Sequence, residues 1–129
     1  MKTIFLSLFL VLVVLSCKKE DALFYAGDYD GRLSEEDYTA QGGNIIHTDT
    51  SYAYTVSVLE TPNHYISIRG FNNANNIAVD GEGFFTFKDY GRTFDGQFRN
   101  DSLYLGSVSS SGSGTSYHHS IINFEGERR

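Results

Sequence analysis

Cys17 is the only cysteine of this 129-residue chain, and it lies where an apolar segment meets a charged one. Residues 4–15 are almost entirely Ile, Leu, Phe and Val, whereas residues 18–21 read Lys-Lys-Glu-Asp. A thiol in such a place is either a nucleophile that becomes modified or a small buried side chain in an apolar helix. A buried helix gives no reason for four charged residues directly after the cysteine, so we favour modification of the thiol.

The segment before Cys17 has the pattern of a secretory signal. Lys2 supplies a positive charge near the N-terminus, and an apolar run of about a dozen residues follows it. A transmembrane helix needs about 20 apolar residues. The run is therefore too short to span a bilayer, and we predict that residues 1–16 form a signal helix that is cleaved off.

Residues 15–17, Leu-Ser-Cys, resemble the lipobox of bacterial lipoproteins, with Ser16 at the position where Gly or Ala is commonest. The resemblance implies that the Cys17 thiol receives a diacylglyceryl group, that the signal is cut just before it, and that the new amino group is acylated. Each buried methylene contributes about 0.8 kcal/mol, and a single acyl chain binds a membrane only marginally. Three chains would therefore anchor the protein to the membrane stably.

Lys19, Glu20 and Asp21 resemble the lysine-plus-two-acids export signal that follows the lipidated cysteine in surface lipoproteins of Bacteroidetes-type bacteria. The resemblance implies a protein that is anchored to the bacterial outer membrane and faces the cell exterior. The alternative is a charged linker that lifts the domain off an anionic membrane. In both cases residues 17–23 are the lipidated cysteine and its linker.

A second modification is suggested near the C-terminal third of the chain. Residues 101–103, Asp-Ser-Leu, resemble the site at which Bacteroidetes-type bacteria O-glycosylate exported proteins. The resemblance implies a sugar on Ser102, in a predicted tight turn. The alternative is an ordinary hairpin turn without modification.

The composition argues against several classes of function. The formal net charge is −6, and a protein that binds nucleic acid needs a basic face for the phosphates, so we expect no nucleic-acid partner. The chain also lacks the Gly-x-Ser-x-Gly, phosphate-loop, His-Glu-x-x-His and Gly-x-Gly-x-x-Gly motifs. We therefore expect a protein without catalytic residues and without a cofactor.

Two residue pairs, His118–His119 and Asp28–Asp30, could in principle form a metal site or a pair of catalytic carboxylates. Their spacing on a strand does not favour either role. His118 and His119 would point to opposite faces of a strand and could not bind one metal ion together, so we predict no metal site. Asp28 and Asp30 share a strand face with Arg32, opposite the aromatic side. We interpret that face as a solvated outer surface.

Alternating apolar and polar residues predict a single all-β domain over residues 24–129. Aromatic content is 15 %, all Phe and Tyr, with 13 Gly and one Pro, which favours strands and tight turns. Turn residues fall between the alternating runs, at 72–76, 80–83, 89–91 and 100–101. About eight hairpin-linked strands close most simply as an antiparallel up-and-down barrel, with a two-sheet β-sandwich as the runner-up.

Three segments depart from the simple alternation of strands and short turns. Residues 34–50 are predicted either as a loop at a barrel mouth or as an extension of the first two strands into a long hairpin. Residues 109–114, a Gly/Ser run, are predicted as a flexible mouth loop. Between residues 121 and 122 the apolar pattern of the last strand changes phase, which predicts a β-bulge.

The two ends of the domain resemble lipocalins. Residues 27–29, Gly-Asp-Tyr, resemble the Gly-x-Trp opening strand of that family, with Tyr29 in place of Trp. Arg128 lies where the family has a C-terminal arginine that packs on the tryptophan. The resemblance implies a lipocalin-like barrel.

Two hypotheses for function follow from a small barrel. Either its interior or mouth binds a small apolar or amphipathic ligand or a protein partner, or it is an accessory lipoprotein with a filled core. Eight strands enclose a space that side chains just fill or that holds one small ligand. The candidates for lining this space are bulky: Tyr29, Tyr54, Val56, Phe85, Phe87, Phe94 and Phe98.

Overall fold

The computed structural model describes residues 24–63, 65–71 and 74–129. The predicted signal peptide (1–16) and linker (17–23), and with them Cys17, Lys19, Glu20 and Asp21, lie outside the described residues. Within the described ranges, no helix is long and apolar enough to cross a membrane.

Eight antiparallel strands form one sheet that curls into a nearly closed barrel. The strands are β1 (Gly27–Gln41), β2 (Asn44–Glu60), β3 (Tyr65–Arg69), β4 (Ala74–Ala78), β5 (Phe84–Asp89), β6 (Arg92–Arg99), β7 (Ser102–Ser113) and β8 (Ser116–Arg128). Their order in the sheet is β4-β3-β2-β1-β8-β7-β6-β5, so β1 and β8 pair and the seam lies between β4 and β5. The predicted meander and barrel are confirmed, and a two-sheet sandwich is excluded because all eight strands belong to one sheet.

The seam is spanned by a turn centred on Asp80. The Asp80 carboxylate accepts hydrogen bonds from the backbone N–H groups of Glu82 (2.9 Å) and Phe84 (2.8 Å). The backbone N–H of Asp80 donates to the carbonyl of Phe84 at 2.9 Å. The side chain of Asp80 thus directs the chain from β4 into β5 where the described residues contain no ladder between these two strands.

Alternation along the strands directs one set of side chains into the barrel, where aromatic rings fill the space. Phe87 packs on Phe94 and Phe85 on Phe98, with ring centroids 5.1 Å apart in both pairs, and Phe71 lies 5.2 Å from Phe94. The seven residues predicted to line the barrel all belong to this interior set: Tyr29, Tyr54, Val56, Phe85, Phe87, Phe94 and Phe98. Tyr54 is half-buried and the other six are buried, so the interior is a packed core.

Glycines allow the strands to bend around this core. Gly31 of β1 lies opposite Gly126 of β8, and a Cβ atom at Gly31 would overlap the backbone carbonyl of Glu125. In β6, a Cβ at Gly96 would overlap the ring of Phe85, which covers that glycine from the interior. Close backbone approach of this kind is where a barrel wall turns sharply.

Four strands continue beyond the barrel as a sheet whose apolar side chains are exposed or half-buried. This extension consists of residues 36–49 of the β1–β2 hairpin and residues 108–121 of the β7–β8 hairpin. The β1–β8 ladder joins the two hairpins as far as the pair Gln41 and Ser116. Of the two alternatives for residues 34–50, the long hairpin is therefore confirmed and the mouth loop is wrong.

Two sequence predictions for the extension are wrong. Residues 109–114 are not a flexible loop, because residues 109–113 pair with β8 and only residues 114–115 form the turn. No bulge interrupts β8 at residues 121–122, since the ladders to β1 and β7 run through without a register shift. The change of phase instead marks the point where β8 leaves the barrel: Phe124 and Ile122 face inward, while Ile121 lies on the outer face of the extension.

Candidate functional site

The two ends of the barrel differ, and one of them is closed by the start of the domain. The ring of Tyr25 stacks on Phe98 with centroids 4.4 Å apart, and its carbonyl accepts a hydrogen bond from the Tyr29 hydroxyl at 2.9 Å. The backbone N–H of Tyr25 donates to the Glu60 carboxylate at 2.7 Å. The segment before β1 therefore seals this end, which we call the closed end.

The same end brings together the residues of the lipocalin resemblance. Tyr29 and Arg128 are register partners in the β1–β8 ladder. Arg128 forms an ion pair with Asp101 and donates to the carbonyl of Phe24 at 2.7 Å. Burial raises the pKa of the Tyr29 hydroxyl, and the positive charge of Arg128 opposes that rise. Arg128 thus ties the start of the domain to the β6–β7 turn.

The opposite end is open and contains a cleft of about 260 Å³, which we call the mouth cleft. Its wall combines residues of β1, β2, β5, β6 and β8 with the turns after β3 and β5. Aromatic and charged side chains dominate this wall: Glu35, Tyr52, Tyr54, Phe71, Asp89, Tyr90, Arg92 and Phe94. Side chains from five strands converge here because the alternation that fills the core continues one or two residues past it.

Two tyrosines of β2 form the aromatic side of the mouth cleft. The rings of Tyr52 and Tyr54 lie nearly perpendicular, at 82°, with centroids 6.1 Å apart. Tyr54 also meets Phe71 edge-on at 6.0 Å, and its hydroxyl donates to the carbonyl of Gly70. Tyr52 is 43 % exposed, so its ring faces solvent at the cleft. The two rings are held in place while part of their surface stays open.

Three charged side chains complete the mouth cleft. The Glu35 carboxylate accepts a hydrogen bond from the Tyr52 hydroxyl at 3.3 Å, and Arg92 donates to the hydroxyl of Ser120 at 3.1 Å. Burial raises the pKa of Asp89. Burial, followed by the charge of Glu35, raises the pKa of Tyr52. In the described part of the chain, no ion pair joins Arg92 to either carboxylate.

Only two of the seven predicted lining residues reach the mouth cleft. Tyr54 and Phe94 line it, whereas the other five pack within the core. The sequence prediction missed Glu35, Tyr52 and Asp89. Glu35 lies two residues from Leu33, and Tyr52 lies two residues from Tyr54, so each shares the inward face of its strand. This spacing could have identified both residues from the sequence. Asp89 was noticed only as part of a turn.

The paired histidines are separated as expected for strand neighbours. His118 lies on the face that continues the barrel interior, with Thr39 Oγ1 3.2 Å from its Nδ1 and Asp37 Oδ1 3.7 Å from its Nε2. His119 lies on the outer face, with Ser110 Oγ 2.8 Å from its Nδ1. Among the residues that the structure describes, no group of three potential metal ligands is present.

The aspartates of β1 lie on the outer face of the barrel. Asp28 accepts a hydrogen bond from Ser57 and Asp30 accepts one from Thr55, each at 2.6 Å. Asp30 also forms an ion pair with Arg129. Hydrogen bonds from Arg129 and then Thr55 lower the pKa of Asp30 to about 2. These carboxylates bind their own neighbours across the sheet.

Ser102 is the first residue of β7 and is half-buried at the closed end. Asn100 adopts a left-handed conformation with φ of 55° in the turn before it, and the Asp101 carboxylate is held by Arg128. The hairpin turn is present, and glycosylation of Ser102 stays a prediction.

A wider groove of about 600 Å³ crosses the outer face of the sheet. Arg32 and Glu125, which are register partners, lie along it with Tyr104, and Gly106 forms part of its floor. These side chains belong to the outward-facing set, so the groove is a solvated depression of the barrel wall. The mouth cleft is the stronger candidate, because side chains from opposite sides of the barrel converge there.

Comparison with known proteins found no matching family model, no matching curated protein and no matching solved structure.

Proposed function

We propose that this protein is a non-catalytic binding module, held by lipid on Cys17 at the bacterial outer membrane and facing the cell exterior, which binds a small amphipathic ligand in its mouth cleft. The observation that carries the proposal is the contrast between the two parts of the barrel. Its interior is filled by packed rings, whereas its open end combines exposed ring surface with charged groups. A shallow amphipathic cleft on a rigid scaffold is suited to recognition.

The position of the N-terminus supports this arrangement. The chain enters the barrel at the closed end, where Arg128 binds the carbonyl of Phe24. A linker of residues 17–23 spans at most about 25 Å when fully extended. An anchor on Cys17 would therefore hold the closed end near the membrane and direct the mouth cleft and the extension away from it.

Native mass spectrometry of the purified chain in detergent micelles tests the proposal. We expect a reproducible additional mass that disappears on denaturation, or one that appears with a ligand panel. Tyr52→Ala, which truncates an exposed ring of the cleft, should abolish that mass. Tyr104→Ala, on the outer groove, is the matched control and should retain it.

The alternative function is an accessory lipoprotein that binds no small ligand, and the filled interior favours it. A native mass equal to that of the protein alone, unchanged by added lipids, amines or glycans, would support this alternative. The search would then turn to protein partners, with the exposed extension as the surface to test first.

A further inference from the structure

We propose that the mouth cleft selects small organic cations of the methylated-ammonium class. This inference rests on the proposed function, because it names the ligand chemistry of the same cleft. Its basis is the combination of two perpendicular ring surfaces with two carboxylates that have no cationic partner in the described structure.

The aromatic corner supplies the first requirement. A cation is attracted to the face of an aromatic ring when it lies within about 6 Å of the ring centroid. The centroids of Tyr52 and Tyr54 are 6.1 Å apart and their planes meet at 82°. A single methylated ammonium group on the open side of the corner that the two rings form can therefore lie within range of both.

The rings of Tyr52 and Tyr54 are already held in place without a ligand. The Tyr54 hydroxyl is bound to the Gly70 carbonyl, and the Tyr52 hydroxyl donates to Glu35. Tyr54 is further packed edge-on against Phe71. Rings that are fixed before binding lose little conformational entropy when a ligand arrives.

The carboxylates supply the second requirement. Glu35 borders the same corner through its hydrogen bond to Tyr52, and Asp89 lines the cleft from β5. Among the described residues that line the cleft, Arg92 is the positive group, and it donates to the hydroxyl of Ser120 in β8. Two negative charges against one positive charge leave the cleft negative, and the net charge of −6 adds to the attraction for cations.

Isothermal titration calorimetry with choline and with its neutral tert-butyl analogue tests this inference, using the purified chain in detergent micelles. The two probes have the same shape and differ in the charge of one atom. We expect choline to bind at least about tenfold more tightly than the neutral analogue. Raised salt should weaken choline binding and leave the analogue unchanged.

Substitutions locate the interaction. Glu35→Gln should weaken choline binding by about two- to fivefold, whereas Glu125→Gln, the same change on the outer groove, should leave it unchanged. Tyr52→Leu should weaken it by about fivefold or more, while Tyr52→Phe, which keeps the ring, should retain it. Thermal unfolding of each variant confirms that the barrel is intact.

The outcomes separate the two proposals. Equal binding of choline and the neutral analogue, or equal loss in Tyr52→Leu and Tyr52→Phe, would overturn the cation inference and leave a cleft that binds small ligands. The cation inference would also be overturned if native mass spectrometry finds a ligand but neither choline nor tetramethylammonium binds. Failure of every probe in both experiments would overturn the binding module itself.

Discussion

At the scale of single residues, polar groups of the barrel wall are paired with neighbours that the strand ladders bring to them. Asp30 is one example, since Thr55 is its register partner in β2 and Arg129 follows the end of β8. Hydrogen bonds to the charged form of a carboxylate favour that form. The pKa of Asp30 is therefore a probe of whether Arg129 is docked on β1.

We expect an NMR titration to give a pKa of about 2 for Asp30, against a usual value of 3.8. Arg129→Ala should raise it towards the usual value, because Arg129 is the largest cause of the shift. Since the folded-state pKa is the lower one, the pair stabilises the fold above about pH 4, and this contribution is lost as the pH falls towards 2. An unchanged Asp30 pKa in Arg129→Ala would contradict the docked C-terminus.

Gly31 gives a second prediction at this scale. Gly31→Ala forces a Cβ atom against the Glu125 carbonyl, so we expect it to lower the free energy of unfolding by about 1–3 kcal/mol. Gly81→Ala is the matched control, because a Cβ there meets nothing within 4 Å. Urea unfolding of both variants measures the difference, and equal stabilities would show that β1 and β8 can separate at this point.

At the scale of elements, the barrel and the extension are built from the same strands but have different surroundings. Tyr29 and Leu33 of β1 are buried, whereas further along the extension Ile45 and Val108 are 77 % and 65 % exposed. The extension is held by its ladders and by side-chain contacts such as the stacked rings of Tyr38 and His47, and none of its apolar side chains is buried. Segments with few buried apolar contacts open at lower free energy than a core.

We therefore expect hydrogen exchange to be faster in residues 36–49 and 108–121 than in the barrel parts of the same four strands. Exchange followed by mass spectrometry measures both parts of each strand in one experiment. Within the extension, β1 and β8 should exchange more slowly than β2 and β7, which lie at its edges. Uniform protection along β1 and β8 would indicate that something covers the extension.

At the scale of the whole molecule, the proposed anchor would be attached at the end of the barrel opposite the mouth cleft. The described chain begins at the closed end, and the mouth cleft opens at the other end. Under the proposed function, the barrel would keep the membrane attachment apart from the ligand cleft. Substitution of Cys17 should therefore change the membrane localisation of the protein and leave the stability of the barrel unchanged.

Expression of the full chain in a bacterium that processes lipoproteins tests the anchor. We expect the mature protein to begin at Cys17, to carry the mass of three acyl chains with glycerol, and to sediment with membranes. Cys17→Ala should lack that mass and leave the membrane fraction, with an unchanged thermal unfolding midpoint. Retention of Cys17→Ala on the membrane would show that the anchor is elsewhere.

Local sequence pattern is sufficient to predict the strands of the barrel and their meander. Alternation is a local property, and the turns between β5 and β6 and between β6 and β7 contain Gly or Asn that adopt left-handed conformations, at Gly91 and Asn100. Short connections of this type leave little choice but to pair neighbours in sequence. For the same reason the inward-facing set of the barrel, from Tyr29 to Phe98, was predictable from parity.

The end of the barrel and the composition of its mouth depend on the three-dimensional packing of the sheet. Parity assigns a side chain to a face but does not say whether anything covers that face. Phe124 is buried, whereas His118 on the same face of β8 has a side chain that is 43 % exposed. Glu35 and Asp89 are far apart in sequence and line one cleft because the sheet curls until its edge strands β4 and β5 approach each other. Contacts of that kind depend on how the sheet curls, which no local pattern contains.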